Sequence, residues 1–589
     1  MKQFFKMMFA SFLGVFIAIG VLIIVGIFMV IGISAGMSSG SSDYLPKPNT
    51  VFKLSLNGTL YDHAEENPLA ILMGDTNTPL SVEDILKSIR VAKREEKIKG
   101  IYIEVGSFSG GAAGLENIRR ALLDFKESGK FLVAYADYYT QGAYYVCSVA
   151  DKVYLNPKGI VALTGFSSRT TFVKGALNKV GIEMQVFKVG TYKGATEMFM
   201  LDKLSDENRE QISSFQQSIW GNICKGIAEA RNLTVDDINR FADEAWAYLP
   251  PEKAVEAGLI DELQYKFDVE NNVKELAGQS DDKLKTAGVD QLKHVKGDVK
   301  KKGDRIAVLY AEGEIKDAAS PFFDSGQIIS EKTARELKKL REDKEIKAVV
   351  FRVNSPGGSA FLSEQIWHEV VKLKEVKPIV VSMGDVAASG GYYISCAAHK
   401  IIAEENTLTG SIGIFGLFPN AAGLYKKLDV TTDFVKTNTY ADLGDESRPM
   451  REDEKAIIQS YINHGYDTFI TRCADGRGMT KEEIDKIGQG RVWTGRQALD
   501  RGLVDALGDI DTAIEAAAEL AELTDYTVVS VSGSNNFIKE LLEKQLENIK
   551  LSAVKSVLGR EEWDLVKALN HARLNTGMHA RLPYDIQPL

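Results

Sequence analysis

A serine placed where an apolar run meets a glycine pair is the first position in this chain that could do chemistry. The stretch is GDVAASGGYY, residues 384–393. Residues 378–383, PIVVSM, precede it and read as a buried strand, and residues 392–398 follow as a helix. Ser389 therefore stands on a strand-to-helix corner, between Ala388 and Gly390. Such a corner displays a side chain beside the outward N–H groups of a helix N-terminus, which favour negative charge. A serine nucleophile and the oxyanion it generates both belong in such a place. Taken alone, the stretch also fits a small residue in a tight turn.

The elements that must position this corner alternate. In the second half, residues 305–310 read as a strand, 331–342 as a polar-faced helix, 348–353 as a strand ending in NSPGG, and 362–373 as a helix. Strands alternating with helices at this spacing argue an α/β fold with a largely parallel sheet. In such sheets function gathers at the carboxyl ends of strands, where both glycine-rich turns, SPGG and ASGG, fall.

The chain is also a repeat. Lys97-Ile98-Lys99-Gly100-Ile101 matches Glu345-Ile346-Lys347-Ala348-Val349, and Tyr144-Tyr145 matches Tyr392-Tyr393, in both cases 248 residues on. SFSGG at 107–111 lies against NSPGG at 354–358, one residue out of step, and 254–261 echoes 498–505. A period this long means duplicated domains rather than a solenoid. With 589 residues, two or more cores are required. The expected divisions are 47–279 and 305–532 as tandem α/β domains, a charged linker at 280–304, and a tail at 533–589.

Residues 1–46 differ from the rest. Residues 7–33 are almost wholly apolar, and Lys2 and Lys6 precede them. As a helix they would run about 40 Å, enough to span a bilayer with tilt. The positive-inside tendency puts the N-terminus in the cytoplasm and the bulk outside. A cleaved signal peptide would have a shorter apolar region, so an uncleaved anchor is expected. In the tail, Ile538, Leu542, Ile549, Ala553 and Val557 fall near helical spacing, and 575–589 reads as irregular.

Composition excludes several classes. The net charge of −10 gives no global signal for nucleic acid. No His/Cys cluster has metal spacing and no Walker-type phosphate loop is present, so no metal and no cofactor is expected. The four cysteines, Cys147, Cys224, Cys396 and Cys473, have apolar neighbours and read as buried thiols.

FRVNSPGGSA, VAASGGYYIS and LTGSIGIFG, in that order, together with FKVGTYKGATEMF in the first half, resemble the signal peptide peptidase A (protease IV) family in its long, duplicated form. The resemblance covers residues 50–530 as a whole. It implies a fold of two tandem Clp-protease/crotonase-like domains, and a membrane-anchored serine endopeptidase that cuts remnant signal peptides after preprotein processing. It also implies a ring-like homo-oligomer, with a tetramer suspected, and catalytic domains on the outer (periplasmic) face of the inner membrane. Residue by residue, Ser389 matches the nucleophile and Lys193 the general base. Ser411 matches a hydroxyl that orients the lysine. Gly357 or Gly358, with the backbone N–H of Gly390, matches the oxyanion site.

The duplication supplies an internal control on that carry-over. The position 248 before Ser389 is Gln141, and the position 248 after Lys193 is Ala441. The first half keeps the lysine without the serine; the second keeps the serine without the lysine. One composite site is the simplest account, within a chain or between neighbours. A lysine acts as a base only when neutral, and an exposed one, at about 10.4, is almost never neutral at pH 7. Burial lowers that value, so Lys193 should be enclosed and free of carboxylates rather than the surface lysine most lysines are. Glu197, four residues on, could pair with it on a shared helix face; Gly194 is expected to break that geometry.

His399 and His368 are weaker bases, placed at the far end of the same helix and on the helix after SPGG. Extended apolar peptides are the expected ligands, paired strand-like in a groove. The alternatives are a membrane scaffold of the same fold without catalysis, and a crotonase-like acyl-CoA enzyme. A C-terminal tail that threads into the site as product or regulator is a further reading.

Overall fold

The computed structural model describes Gly14 and residues 44–64, 80–295, 303–316, 328–531 and 578–581. The anchor expected at 7–33 and the helix expected at 538–557 lie outside the described residues. Among the described residues no helix is long and apolar enough to cross a membrane.

Four parallel strands organise the first half: β1 (Thr50–Tyr61), β2 (Ile98–Ser109), β3 (Phe131–Thr140) and β4 (Lys152–Ala162), side by side in that order. Between β1 and β2 runs α1 (Val82–Arg94), started by Ser81, whose hydroxyl accepts from the Asp84 amide, and burying Ile85, Leu86, Ile89 and Ala92. Between β2 and β3 runs α2 (Ala112–Lys126). Beyond β4 come β5 (Glu183–Val189) and a long helix, α3 (Asp206–Arg231).

The second half repeats the plan with β6 (Asp304–Glu312), helix α4 (Glu331–Glu342), β7 (Ile346–Ser355), the short β8 (Gly357–Ser359), α5 (Ala360–Lys374), β9 (Ile379–Ala388), β10 (Leu408–Gly410), β11 (Ile414–Asn420) and a second long helix, α6 (Glu452–Arg477). Its main sheet runs β10-β9-β7-β6 and is closed by Tyr526–Val531 against β6. β7 and β9 are nearly buried throughout, as parallel strands covered on both faces must be. α4 is polar except for Ala334, Leu337 and Leu340, which face the sheet. The matched strands β2/β7 and β3/β9 start 248 residues apart, the offset of the sequence repeat. The duplicated α/β architecture is thus present.

A third sheet joins the halves. Its order is Ile328–Ile329, Glu314–Ile315, β8, β12 (Met578–Arg581), β11 and β5. β5 belongs to the first half by sequence, yet all seven of its residues pair antiparallel with β11 of the second. Buried polar contacts hold the same seam. The Arg352 guanidinium meets the Asp62 carboxylate at 2.8 Å, each 3% exposed. Asp385 accepts from the Ala113 and Gly114 amides at 2.9 Å, which ties the corner strand to the first turn of α2. A Cβ on Gly111 would lie 2.0 Å from the Asp385 carboxyl, so that approach needs glycine. Removing one partner of a buried pair like Arg352–Asp62 costs about 3–5 kcal/mol, because a charge is left without compensation.

Three expectations are corrected. The helix after Ser389 is Gly390–Tyr393 rather than 392–398, and β9 continues through Ala388. The strand is prolonged because β10 pairs with Val386, Ala387 and Ala388. The segment expected as a solvated linker is folded up to residue 295: Thr286–Ala287 pairs with β1, and Leu292 and Val295 are buried. Its few apolar residues find the first core despite the charges around them. Within the tail, residues 578–581, expected to be irregular, form β12 between two existing strands. The four cysteines are buried and free.

Candidate active site

The corner at Ser389 is strained. Its φ of 56° and ψ of −112° lie in a region that L-residues rarely enter, and its amide donates to Gly410 O at 2.8 Å. Such a conformation costs of order 1–3 kcal/mol and persists only where neighbours over-determine it. Ser389 does not cap the helix that follows it. Its hydroxyl points to a lysine instead.

That lysine comes from the other half. β5, paired to β11, carries the chain to Gly190, and the turn 190–193 docks on residues 489–490 of the second half. The Tyr192 amide donates to Gln489 O at 2.8 Å, and Gln211 of α3 donates to Tyr192 O at 2.8 Å while accepting from the Val492 amide at 3.0 Å. Lys193 Nζ then lies 2.6 Å from Ser389 Oγ, 2.9 Å from Ser411 O and 3.1 Å from Ser411 Oγ. Lys193, Ser389 and Ser411 are each 0% exposed. Lysine and serine therefore meet within one chain.

Burial alone pushes the Lys193 amine well below its ordinary value. No carboxylate among the described residues pairs with it. Glu197 turns away and receives the Ser205 amide at 3.1 Å and the Ser205 hydroxyl at 2.5 Å. The break between Lys193 and Glu197 is a 3-10 turn, Gly194–Thr196, with Lys193 as its cap. Gly194 is needed there for room, since a Cβ would meet the Asn208 amide at 2.4 Å. A neutral amine has two N–H groups and one lone pair. The two Ser411 oxygens can take the first, and the Ser389 hydroxyl can donate to the second. A general base acting on a serine requires such an arrangement of lone pair and hydroxyl.

The glycines flank the same point. A Cβ on Gly357 would lie 2.6 Å from the Gly390 amide nitrogen, and one on Gly390 would lie 3.1 Å from Gly357 Cα. The Gly357 amide is steadied by Ser355 Oγ at 3.1 Å. Gly357 and Gly358 have φ of 96° and 155°, conformations that need glycine. With the Gly357 N–H given to Ser355 Oγ, Gly358 and Gly390 are left as the backbone amides that an oxyanion site beside this serine would draw on.

The histidines are elsewhere. His399 accepts from the Ile379 amide at 3.2 Å, at the opposite end of β9 from Ser389, and His368 is exposed on α5. Sequence reasoning missed Gly490, Gly413 and Gln211. A Cβ on Gly490 would come within 2.7–2.8 Å of the Lys193 backbone, and one on Gly413 within 3.2 Å of Lys193 Cδ. Gly490 sits in QGR with φ of 77°, and no local pattern ties it to a lysine 297 residues earlier. No group of three or more metal-ligating side chains occurs among the described residues.

Comparison with known proteins places this chain among peptidases. The model of peptidase family S49 matches residues 124–280 and again 371–524. Protease 4 of Haemophilus influenzae is 36% identical over 500 residues, covering 81% of this chain and 80% of its own length. The chloroplastic serine protease SPPA of Arabidopsis thaliana is 33% identical over 508 residues, covering 84% of this chain and 73% of its own. A putative signal peptide peptidase SppA of Enterococcus faecium is 37% identical over 227 residues, covering 38% of this chain and 66% of its own.

Proposed function

Given that the chain belongs to peptidase family S49, the serine proteases called protease IV and signal peptide peptidase A, we propose that it is an endopeptidase run by a Ser389–Lys193 dyad. The observation that carries the reading is the enclosed amine of Lys193, 2.6 Å from Ser389 Oγ with no carboxylate of the described residues paired to it.

Neutral Lys193 takes the Ser389 proton as Oγ attacks the scissile carbonyl. Ser411 accepts both amine N–H groups and aims the lone pair. The amide of Gly358, since that of Gly357 is given to Ser355 Oγ, and the amide of Gly390 hold the oxyanion, where a single donor is commonly worth about 2.7–4 kcal/mol of barrier. The lysine ammonium then protonates the leaving amine, and water clears the acyl-enzyme.

The substrates in this reading are extended apolar peptides, with signal peptides left after processing foremost. The similarity to a putative signal peptide peptidase of Enterococcus faecium supports that class. Residues 7–33 anchor the chain in the plasma membrane, N-terminus inside and both domains on the outer side, in keeping with Lys2 and Lys6 ahead of the apolar run. Copies associate into a ring. Support comes from the exposed apolar side chains of Leu428 and Val435, 63% and 101% exposed, which a second copy would cover.

The test is hydrolysis of a fluorogenic apolar peptide by the full chain in detergent, for wild type, Ser389→Ala and Lys193→Ala, across pH. Both variants should be inactive with unchanged assembly, and the wild-type rate should rise with pH through one ionisation below the ordinary lysine value. A Lys193→Ala chain that cuts at the wild-type rate removes the lysine from its role. A wild-type chain that cuts no peptide favours the scaffold.

A further inference from the structure

The base and the nucleophile come from different halves, so groups outside the dyad must fix their spacing. Residues 489–492 touch the neighbours of every member. Gln489 O accepts from the Tyr192 amide at 2.8 Å, one residue before Lys193. The Gly490 amide donates to Ile412 O and the Ser411 amide donates to Arg491 O, both at 2.7 Å. Val492 lies opposite Gly410, whose carbonyl accepts from the Ser389 amide at 2.8 Å. A shift of this four-residue segment would therefore move lysine, orienting serine and nucleophile relative to one another.

One side chain joins that segment to the lysine turn. Gln211, buried on α3, donates through Nε2 to Tyr192 O at 2.8 Å and accepts at Oε1 from the Val492 amide at 3.0 Å. Its second Nε2 hydrogen goes to Asn208 Oδ1. Both hydrogens and the oxygen are engaged, which fixes the carboxamide's orientation: turned over, Oε1 would face two oxygens and Nε2 an N–H. Asn208, also buried, packs on Gly194, so α3 grips the turn on both sides of Lys193. The duplication again supplies a control. Arg231 and Arg477, which end the two long helices and pair with Asp261 and Asp505, are 246 residues apart. The same step takes Gln211 to Ile457, which is exposed, and Asn208 to Glu454, which pairs with Arg448. Only the half that carries the lysine carries the two amides at these positions.

We propose that Gln211 is a positioning residue of the dyad: acting through Tyr192 and Val492, it sets the distance from Lys193 to Ser389 and Ser411. The proposal rests on the dyad reading. A carboxamide suits the place because it is neutral and both donates and accepts. A hydrocarbon side chain of similar length would release the Tyr192 carbonyl and the Val492 amide, which frees the lysine turn to shift against residues 489–492. A carboxylate would keep the Val492 amide, lose the bond to Tyr192 O and set a negative charge beside the lysine turn. The charges already on these elements are engaged elsewhere. Glu210 pairs with Arg491 at 2.6 Å, the Arg491 guanidinium lies over the Tyr192 ring at 4.7 Å, and Glu197 is held by Ser205.

The test is peptide hydrolysis by the full chain in detergent, with kcat and KM measured separately across pH for wild type, Gln211→Met, Gln211→Glu and Lys193→Ala, and circular dichroism on each. Gln211→Met should lower kcat by about 10- to 100-fold while KM stays within about twofold, because a displaced base fails in the chemical step and not in binding. Gln211→Glu should in addition move the rise of kcat to higher pH, since a nearby carboxylate favours the ammonium form. A folded Gln211→Met chain with wild-type kcat, or one whose loss lies in KM alone, overturns the inference. A Gln211→Glu profile that superimposes on wild type overturns it too, and that arm decides where Gln211→Met does not fold. Either result beside an inactive Lys193→Ala spares the dyad. A Lys193→Ala chain as active as wild type removes the dyad and this inference together.

Discussion

The two halves reach the same corner by strands of ten residues each, β3 and β9, and then part. In the first half Thr140 ends the strand with φ of −65° and ψ of 159°, and its hydroxyl accepts from the Ala143 amide at 3.2 Å, an ordinary helix cap. In the second half Ser389 occupies φ of 56°, caps nothing and faces Lys193. Around both corners the frame is the same. The Tyr144 hydroxyl donates to Leu259 O at 2.6 Å, and Tyr392 to Leu503 O at 2.8 Å. Arg231 pairs with Asp261 at 3.1 Å, and Arg477 with Asp505 at 2.6 Å. What the halves share is scaffold. What differs is a relaxed corner against a strained one, and strain is tolerated where a side chain must be aimed away from its own helix.

The comparison can be broken most directly by exchanging the corners. Ser389→Ala and Lys193→Ala should each lower kcat by about 10⁴-fold or more, since members of a nucleophile–base unit fail together. Gln141→Ser should give no second site, with the double variant Gln141→Ser, Ser389→Ala as inactive as Ser389→Ala alone. Activity in that double variant would mean that the first corner needs no strain to act.

Next in size is Gly490→Ala. Its Cβ would press on the Lys193 backbone at a φ of 77°. A displacement of the base by an ångström should cost about 10²-fold in kcat with the fold retained. Gly502→Ala, at φ of 70° in the frame and facing only Met479 Sδ at 3.8 Å, should leave kcat alone and cost stability only. Circular dichroism and peptide kinetics on both separate the two outcomes.

Lys193→Met sharpens the comparison through pH. The folded amine sits well below its ordinary value because burial penalises the charge. Between the lowered and the ordinary value the unfolded chain holds more protons than the folded one, so wild-type stability rises with pH across that window. Lys193→Met removes this burden. It should therefore melt higher than wild type, by most at acidic pH and by less as pH rises towards the ordinary lysine value. A melting difference that is flat with pH contradicts an amine kept neutral by burial. Wild-type activity should rise with pH, because only the neutral amine accepts the serine proton.

The smallest effect lies at the caps. Thr140→Ala should cost about 1 kcal/mol of stability with unchanged kcat. Ser389→Ala, which loses no cap, should melt no lower than wild type. Thermal melts of the two variants side by side test whether the first corner is structural and the second is not.

Much of this was legible along the chain. The constant offset exposed the duplication, and the apolar run before GDVAASGG located the corner. The complementary losses at Gln141 and Ala441 pointed to one site made by two halves. Gly490 and Gln211 were not legible, because packing against Lys193 leaves no local pattern in QGR or on α3. Nor was β12: Met-His-Ala-Arg has no strand signature of its own, and it is extended because two open edges, β8 and β11, lie on either side of it.

Local spacing is enough to determine alternation, repeat and turn, because these depend on neighbours within a few residues. The sequence alone thus set out two α/β halves, a serine at a strand end and a lysine in the opposite half. Only the tertiary structure decided that β5 leaves its own half to pair with β11, which carries Lys193 to Ser389 within one chain. Burial at that seam then lowers the amine, and burial belongs to the assembled fold: the groups that exclude water from Lys193 come from residues 389, 411–413 and 489–490, far along the chain and near only in space.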